Sequence, residues 1–459
     1  MNVMSFKRTR VYYRNKFLHI GHLQTLFHNN NVAREHGGVC YAIIDDRQDV
    51  ARIRDIKEDF IYLELDNIEI VSVNKYSKRI MDYTLDLVHQ GKIYINYCNS
   101  IENDPDKIIQ HIREPHMHFR LMLRCQKGSD PSIGYTKPVT GDMSSPLVLM
   151  FLFDYIIKVL DALLDITDII STSTTEVTDV RDPNISIFFD QMIKLQYHRL
   201  DTYFIQGFKY SKKDWPSLDE RDPYLLTIKG LKARHIPRIV LYAFYIHATQ
   251  MGTIKIIYLS NFLRNYLNRT CDRVFGVTCP IKVQITNWPD KYTEYICKNI
   301  NPLRDSTELR LCPLSNTIYM DQSDYGIDNA TKLTKGRYCR LKHGQFIHCV
   351  DVEVDEKGPT LIHAEFVNST DKAKRCVHWI SSEWGREPVM VCFVLYQWFY
   401  TGQNTLQKPN IVKGYIERSV FEHLDKIYQL ERNGYYVYDE TLSRKNSMPT
   451  FIRICKIKN

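Results

Sequence analysis

The sequence predicts a mixed chain: a doubly wound α/β part carrying a small insertion, then a helical connector, then an all-β C-terminal part. Three observations carry this reading. Near the N-terminus strand, helix and strand follow one another, with a polar turn where the second strand ends. In the middle, apolar residues recur at helical spacing between prolines. Beyond Trp288-Pro289, short alternating segments separated by turns replace the helical pattern. With 459 residues there is room for about three domains. Hydrophobic residues at 44% and charged ones at 25% exclude disorder of the whole chain, and 19 Gly with 17 Pro exclude collagen-like and low-complexity classes.

The elements follow in order. A short strand is predicted over Thr9–Tyr13, then a helix from about Gly21 to His36. Gly37-Gly38 ends that helix, because glycine enters the left-handed region past a helix terminus at little cost. VCYAIIDD, residues 39–46, is a continuous apolar run of the kind that forms a buried parallel strand. Arg54–Leu65 and Ser77–Gln90 are amphipathic helical stretches, the second closed by Gly91. Residues 100–145 lose this rhythm: LRCQKGSDPSIGYTKP reads as strands joined by turns, an insertion splitting the α/β part. Apolar runs and helices resume over 146–214. From 215 to 288 the pattern is helical, with Pro216, Pro223 and Pro237 marking starts. STELRLCPL, FIHCVDVEV and TLIHAEFV then alternate within an all-β part over 289–459. The predicted organisation is therefore 1–99, 100–145, 146–214, 215–288 and 289–459.

Lys+Arg of 61 against Asp+Glu of 53 leaves +8, which fits a polyanion-binding surface without requiring one. The 12 cysteines include no C-x-x-C pair, so zinc-ribbon and redox motifs are excluded, no metal site is expected, and buried reduced thiols are. The basic N-terminus lacks a signal-peptide run, and the apolar stretch Pro146–Phe153 is broken at once by Asp154. A cytoplasmic chain with no membrane partner is expected.

The sharpest motif is His19-Ile20-Gly21-His22, opening a helix after a strand. A helix N-terminus offers N–H groups and a positive dipole end to phosphates. Two imidazoles three positions apart face the same way. Gly21 lets a nucleotide approach the backbone. Such a site suits a triphosphate losing pyrophosphate, where catalysis is positioning and charge stabilisation. Alone, the motif is weak, because a histidine pair also caps helices. Downstream, the loop Lys209–Lys213, KYSKK, can carry positive charge onto developing phosphate oxygens; alone, such a cluster is more often a solvated loop.

Taken together, these segments resemble class I aminoacyl-tRNA synthetases, and within them the glutaminyl-tRNA synthetases. FLHIGHLQTLFHNNNVAREHGG is similar to the family's signature helix, and CYAIIDD to its next strand with an acidic end. HRLD followed by YSKK resembles the second signature, with Tyr210 in place of Met. DPYLLTIKGLKARHI, LNRTCDRVFGVTCPIKVQITNW, NTIYMDQSDY, CVHWISSE and YQLERNGYYVYDE resemble later segments in the same order. The resemblance implies a Rossmann-like catalytic domain, an acceptor-binding insertion, and an anticodon-binding domain of two β-barrels. It implies an ATP-dependent ligase, with ATP and its Mg2+, an amino acid (glutamine or a related one) and tRNA as partners, and a monomer. His19, Gly21 and His22 would hold ATP; Arg199 and Leu200 would line the adenosine site; Ser211 and Lys212 would act on the phosphates, with His19, His22 and Lys212 catalytic. Asp45 would read the α-amino group, and Arg10 would stand near the amino-acid side chain, with Phe153 and Ile157 in the pocket helix. Asp45-Asp46 has a plainer reading, as a strand-end pair capping the next element. Arg340 and Lys342, in the basic run KGRYCRLKH, are candidates for contact with the anticodon loop, though solvated strand faces look the same.

Departures from the family pattern fall on both sides, more on the amino-acid side. The approach to the signature helix, YYRNK, is one residue shorter and has neither Pro nor Gly, which puts a Cβ where ATP should pack. Thr-Asn-Pro of the family becomes Arg47-Gln48-Asp49, and its Tyr-Asp-Phe-Thr-His becomes Phe153-Asp154-Tyr155-Ile156-Ile157. A phenol and an imidazole are lost, and each missing hydrogen bond to a buried polar substrate costs about 1–3 kcal/mol. The insertion is also shorter than the family's. Two functions stay open: a glutaminyl-tRNA-synthetase-like ligase, or a catalytically degenerate homologue that binds tRNA or a tRNA-like RNA without aminoacylation.

Overall fold

The computed structural model describes the chain apart from residues 1–5, 14–17, 48–50, 126–128, 140–144, 172–182, 200–203, 207–218, 305–306, 327–331, 357, 369–372, 374, 384–386, 398, 400–407 and 458–459. It divides into two compact units, one of residues 1–206 with 245–254 and one of 207–244 with 255–459.

In the first unit, β1 (Arg8–Tyr13), α1 (Leu23–Glu35), β2 (Val39–Ile44), α2 (Arg52–Tyr62), β3 (Ile68–Ser72) and α3 (Val73–His89) alternate; β3 stands between the two predicted helical stretches, where no strand was expected, and α3 begins at Val73 rather than Ser77. β1 pairs in parallel with β2 from Arg8↔Val39 to Tyr13↔Ile44, and β2 pairs with β3 from Cys40↔Ile68 to Ile44↔Ser72. The α1–β2 turn shows why two glycines are needed. Gly37 has φ +66°, and a Cβ on Gly38 would lie 1.6 Å from the Lys7 carbonyl oxygen.

The chain then builds an antiparallel sheet from β4 (Ile93–Tyr97), β5 (Ser100–Glu102), β6 (Arg120–Leu123), β7 (Ser132–Pro138) and β8 (Leu147–Phe151), with α4 (Pro105–Arg113) after β5. Its order is β5-β4-β6-β7-β8. The inserted sheet thus recruits strands on both sides of the predicted 100–145 span, because ladder pairing, not local pattern, decides where a sheet ends.

α5 (Phe153–Leu163), β9 (Asp168–Ser171), α6 (Pro183–Asp190) and β10 (Gln196–Arg199) return the chain to the parallel sheet, whose order is β10-β9-β1-β2-β3. The order reverses between β1 and β9, which opens a crevice at their carboxyl ends. Asn29 of α1 ties the helix across this point: its side-chain amide donates to the carbonyls of Thr25 at 2.8 Å and of Ile170 in β9 at 3.1 Å.

In the second unit, helix Ile257–Thr270 gives way to strands at Asp272, earlier than the predicted 289. The C-terminal part is two barrel-like sheets of seven strands each. One draws on segments between Pro280 and Ser381; the other joins Asp272–Val277 to strands between Val389 and Lys456. Arg310 links them, donating to Glu417 at 2.8 Å and to Glu431 at 2.7 Å with its guanidinium over the Phe275 ring.

Candidate active site

The crevice edge begins where β1 ends. Leu18 is buried, and Ile20–His22 forms a single 3-10 turn before α1. Two histidines make the cap that Ser and Glu make elsewhere. The Gly21 N–H donates to His19 Nδ1 at 3.0 Å, and the His19 N–H donates to His22 Nδ1 at 3.1 Å. The rings lie 3.8 Å apart between centroids, and the Tyr13 ring meets His22 edge-on at 5.9 Å. A Cβ on Gly21 would lie 2.8 Å from His19 Cε1, so glycine here makes room for the ring.

Burial pushes His22 down from 6.5 to about 4; His19 is also held well below its usual range, by burial and then by His22. Both imidazoles are therefore neutral near pH 7. Since each Nδ1 accepts a backbone N–H, each proton sits on Nε2. The turn presents neutral imidazole donors beside the positive end of the 13-residue helix α1.

One strand over, the sequence-predicted acidic pair divides into two roles. Asp46 is buried and structural: it accepts from Ser72 Oγ at 2.7 Å and from the Asn74 N–H at 3.0 Å, capping α3. Asp45 is held by Arg47, whose Nε and Nη2 donate to its two carboxylate oxygens at 2.8 Å each. Arg47 Nη1 donates to the Phe151 carbonyl at 2.8 Å. The sequence marked Arg47 only as a departure. Its signal was position, since a residue two beyond an aspartate has the reach to fold back on it.

The remaining predicted residues of the acyl side lie in the core. Phe153 and Ile157 are buried, the second completely, and the Phe153 ring lies 5.8 Å from that of Tyr12. Arg10, expected near the substrate side chain, is 1% exposed, and its guanidinium is doubly bonded to the buried Asp161, whose charge it neutralises. One turn back on α5, the buried Lys158 donates to Tyr197 Oη at 2.8 Å, and burial lowers its pKa.

Arg199 ends β10, paired with Ser171 at the same sheet edge. Leu200, Tyr210, Ser211 and Lys212 lie outside the described residues. In the second unit Arg340 is exposed over the Phe346 ring, whereas Lys342 is half-buried with its Nζ 3.7 Å from Glu431. No cluster of three or more His, Cys, Asp or Glu among the described residues is arranged to hold a metal ion, and no helix among them is long and apolar enough to cross a membrane.

Comparison with known proteins agrees with this layout. Residues 14–124 match the catalytic domain of class I tRNA synthetases of the E and Q type, and residues 271–367 match the anticodon-binding domain of the same group. The second match begins where the strands begin. A cytoplasmic glutamine–tRNA ligase of Arabidopsis thaliana is 24% identical over 93% of this chain, which spans 62% of that relative's length. Glutamine–tRNA ligases of Clostridium kluyveri and Rhodopirellula baltica are 26% and 27% identical, over 97% and 80% of this chain and 92% and 71% of theirs. A crystal structure of a glutamate tRNA ligase from Elizabethkingia meningosepticum superposes on 57% of this chain and 70% of its own, at TM-score 0.41 and 10% identity.

Proposed function

Because the chain is class I and glutaminyl-tRNA-synthetase-like, we propose that it is an ATP-dependent ligase that aminoacylates tRNA. A carboxylate oxygen of the amino acid attacks the α-phosphorus of ATP and pyrophosphate leaves; a hydroxyl of the tRNA 3′-terminal ribose then attacks the adenylate carbonyl and AMP leaves. The observation that carries this reading is the neutral His19–His22 pair at the start of α1, on the carboxyl edge of the parallel sheet. Its Nε2–H donors would face the phosphates, with Mg2+ arriving on the triphosphate. The resemblance adds Arg199, Leu200, Ser211 and Lys212 to the proposed ATP site; Leu200, Ser211 and Lys212 lie outside the described residues. tRNA is the proposed partner of the second unit, and the protein is proposed to act as a monomer.

A second reading, an RNA-binding homologue without aminoacylation, is favoured by the state of Asp45 and the burial of Phe153 and Ile157. ATP–pyrophosphate exchange with each of the twenty amino acids, with and without tRNA, separates the two. Exchange that depends on an amino acid, and that disappears in His22→Ala, supports the ligase. No exchange under any condition, with tRNA still bound, supports the homologue.

A further inference from the structure

We propose that Arg47 is a specificity-determining residue of the acyl half of the site, an internal competitor for the ammonium group of the substrate. The proposal rests on the nucleotide-site reading above. Asp45 leaves the carboxyl end of β2, and its N–H lies 3.5 Å from the carbonyl of Tyr13, whose ring touches His22. Its carboxylate therefore stands on the same edge as the histidines, where an acyl group joined to a nucleotide would come to rest. Both oxygens are engaged by one planar fork, a bidentate geometry stronger than ordinary hydrogen bonds. The third donor reaches Phe151, so Arg47 straps the end of β2 to the end of β8, two residues before α5 begins.

A substrate ammonium needs the lone pairs that Arg47 holds. Arg47 is two residues away on the same chain, so it competes at an effective concentration of millimolar order or above, with no cost of association. Asp46 and Asp161 offer no substitute, since Asp46 is committed to Ser72 and Asn74, and Asp161 to Arg10. The site should therefore bind an acyl-adenylate about equally well with or without an α-amino group.

The test uses two non-hydrolysable mimics, glutaminyl-sulfamoyl adenosine and its analogue lacking the α-amino group, titrated calorimetrically into the full chain with tRNA present. We expect the unmodified protein to bind the two within about threefold of each other, and Arg47→Ala to prefer the amino-bearing mimic by about tenfold or more. Asp45→Asn in the Arg47→Ala background should erase that preference. If Arg47→Ala fails to fold, Arg47→Gln, which removes the charge and keeps a donor, replaces it. A strong preference for the amino-bearing mimic in the unmodified protein overturns the proposal, as does a folded Arg47 variant without any gain. Failure of both mimics and of ATP to bind overturns instead the nucleotide-site reading on which the proposal stands.

Discussion

The two halves of the crevice edge are built from adjacent strands and behave in opposite ways. At the end of β1, backbone and imidazoles are arranged around each other, each ring accepting a backbone N–H at Nδ1. At the end of β2, the comparable polar group is consumed internally, Asp45 by Arg47, and the nearby positions of α5 are buried apolar side chains. On the proposed reading, a nucleotide would be held largely through backbone and a few rings, which one local motif can supply. An amino acid would be held by single side chains drawn from distant segments, so a few substitutions would alter that half.

The largest effect should come from the preserved half. His22→Ala removes both the ring and the acceptor for the His19 N–H, and loss of one preorganised donor to a developing phosphate charge costs about 10²–10³ in rate. Adenylate formation in a single-turnover assay measures it. A loss below about threefold would place the chemistry elsewhere and break the contrast.

Acid should act on the same half. His22 is held near 4 when folded, against 6.5 in an unfolded chain, so the unfolded chain binds the extra proton across that window. Stability is therefore complete above about pH 6.5, falls as pH drops, and loses up to roughly 3 kcal/mol from this group by about pH 4. Melting temperatures of the wild type and His22→Ala, measured between pH 7.5 and 4.5, should converge as pH falls. Parallel curves would mean that the ring is not buried as neutral imidazole.

The apolar half resists repair in a different way. Ile157 is fully buried in a cluster with Val159, Leu160 and Phe189, so Ile157→His places an imidazole where no water reaches it. We expect the variant to lose about 1–3 kcal/mol in denaturant unfolding. Restoring Tyr at 153 and His at 157 would improve glutamine use only if the neighbouring helices yield space. A neutral or stabilising Ile157→His would show that the pocket is open there, and would blur the distinction between the halves.

How much of this was legible follows from the range of the interactions. Strand and helix at Arg8–Tyr13, Leu23–Glu35 and Val39–Ile44 came directly from a continuous apolar run, a helical period and a glycine pair. The histidine turn was legible because its bonds span three residues. The insertion limits were not, since β4 and β6 meet only through a ladder, nor was the start of the all-β part at Asp272, whose first strand pairs with Ile427–Leu430 far along the chain. Asp45 was named as a candidate, but its partner was hidden, because the strap that fixes Arg47 ends on Phe151, 104 residues away. The partner of Arg10 was hidden for the same reason: its carboxylate, Asp161, lies 151 residues on.

The smallest effect separates two basic residues that the sequence treated alike. Arg340 lies on the strand Tyr338–Leu341 and Lys342 just past its end, both proposed to touch RNA. Arg340 is exposed, with its guanidinium over the Phe346 ring 5.5 Å away, a surface on which a base could stack. Lys342 instead faces the buried Glu431, which also takes Arg310, and its charge is largely spent there. Arg340→Ala should therefore weaken tRNA binding a few-fold and lower the slope of log affinity against log salt by about one. Lys342→Ala should leave that slope unchanged and act on unfolding alone, since it removes one of the cations around Glu431. Filter binding across a salt series, beside a melting curve for each variant, reads both quantities. Slopes unchanged from the wild type in both variants would mean that neither side chain meets a phosphate, and that any RNA-binding face lies elsewhere; slopes lowered in both would mean that Lys342 also meets one.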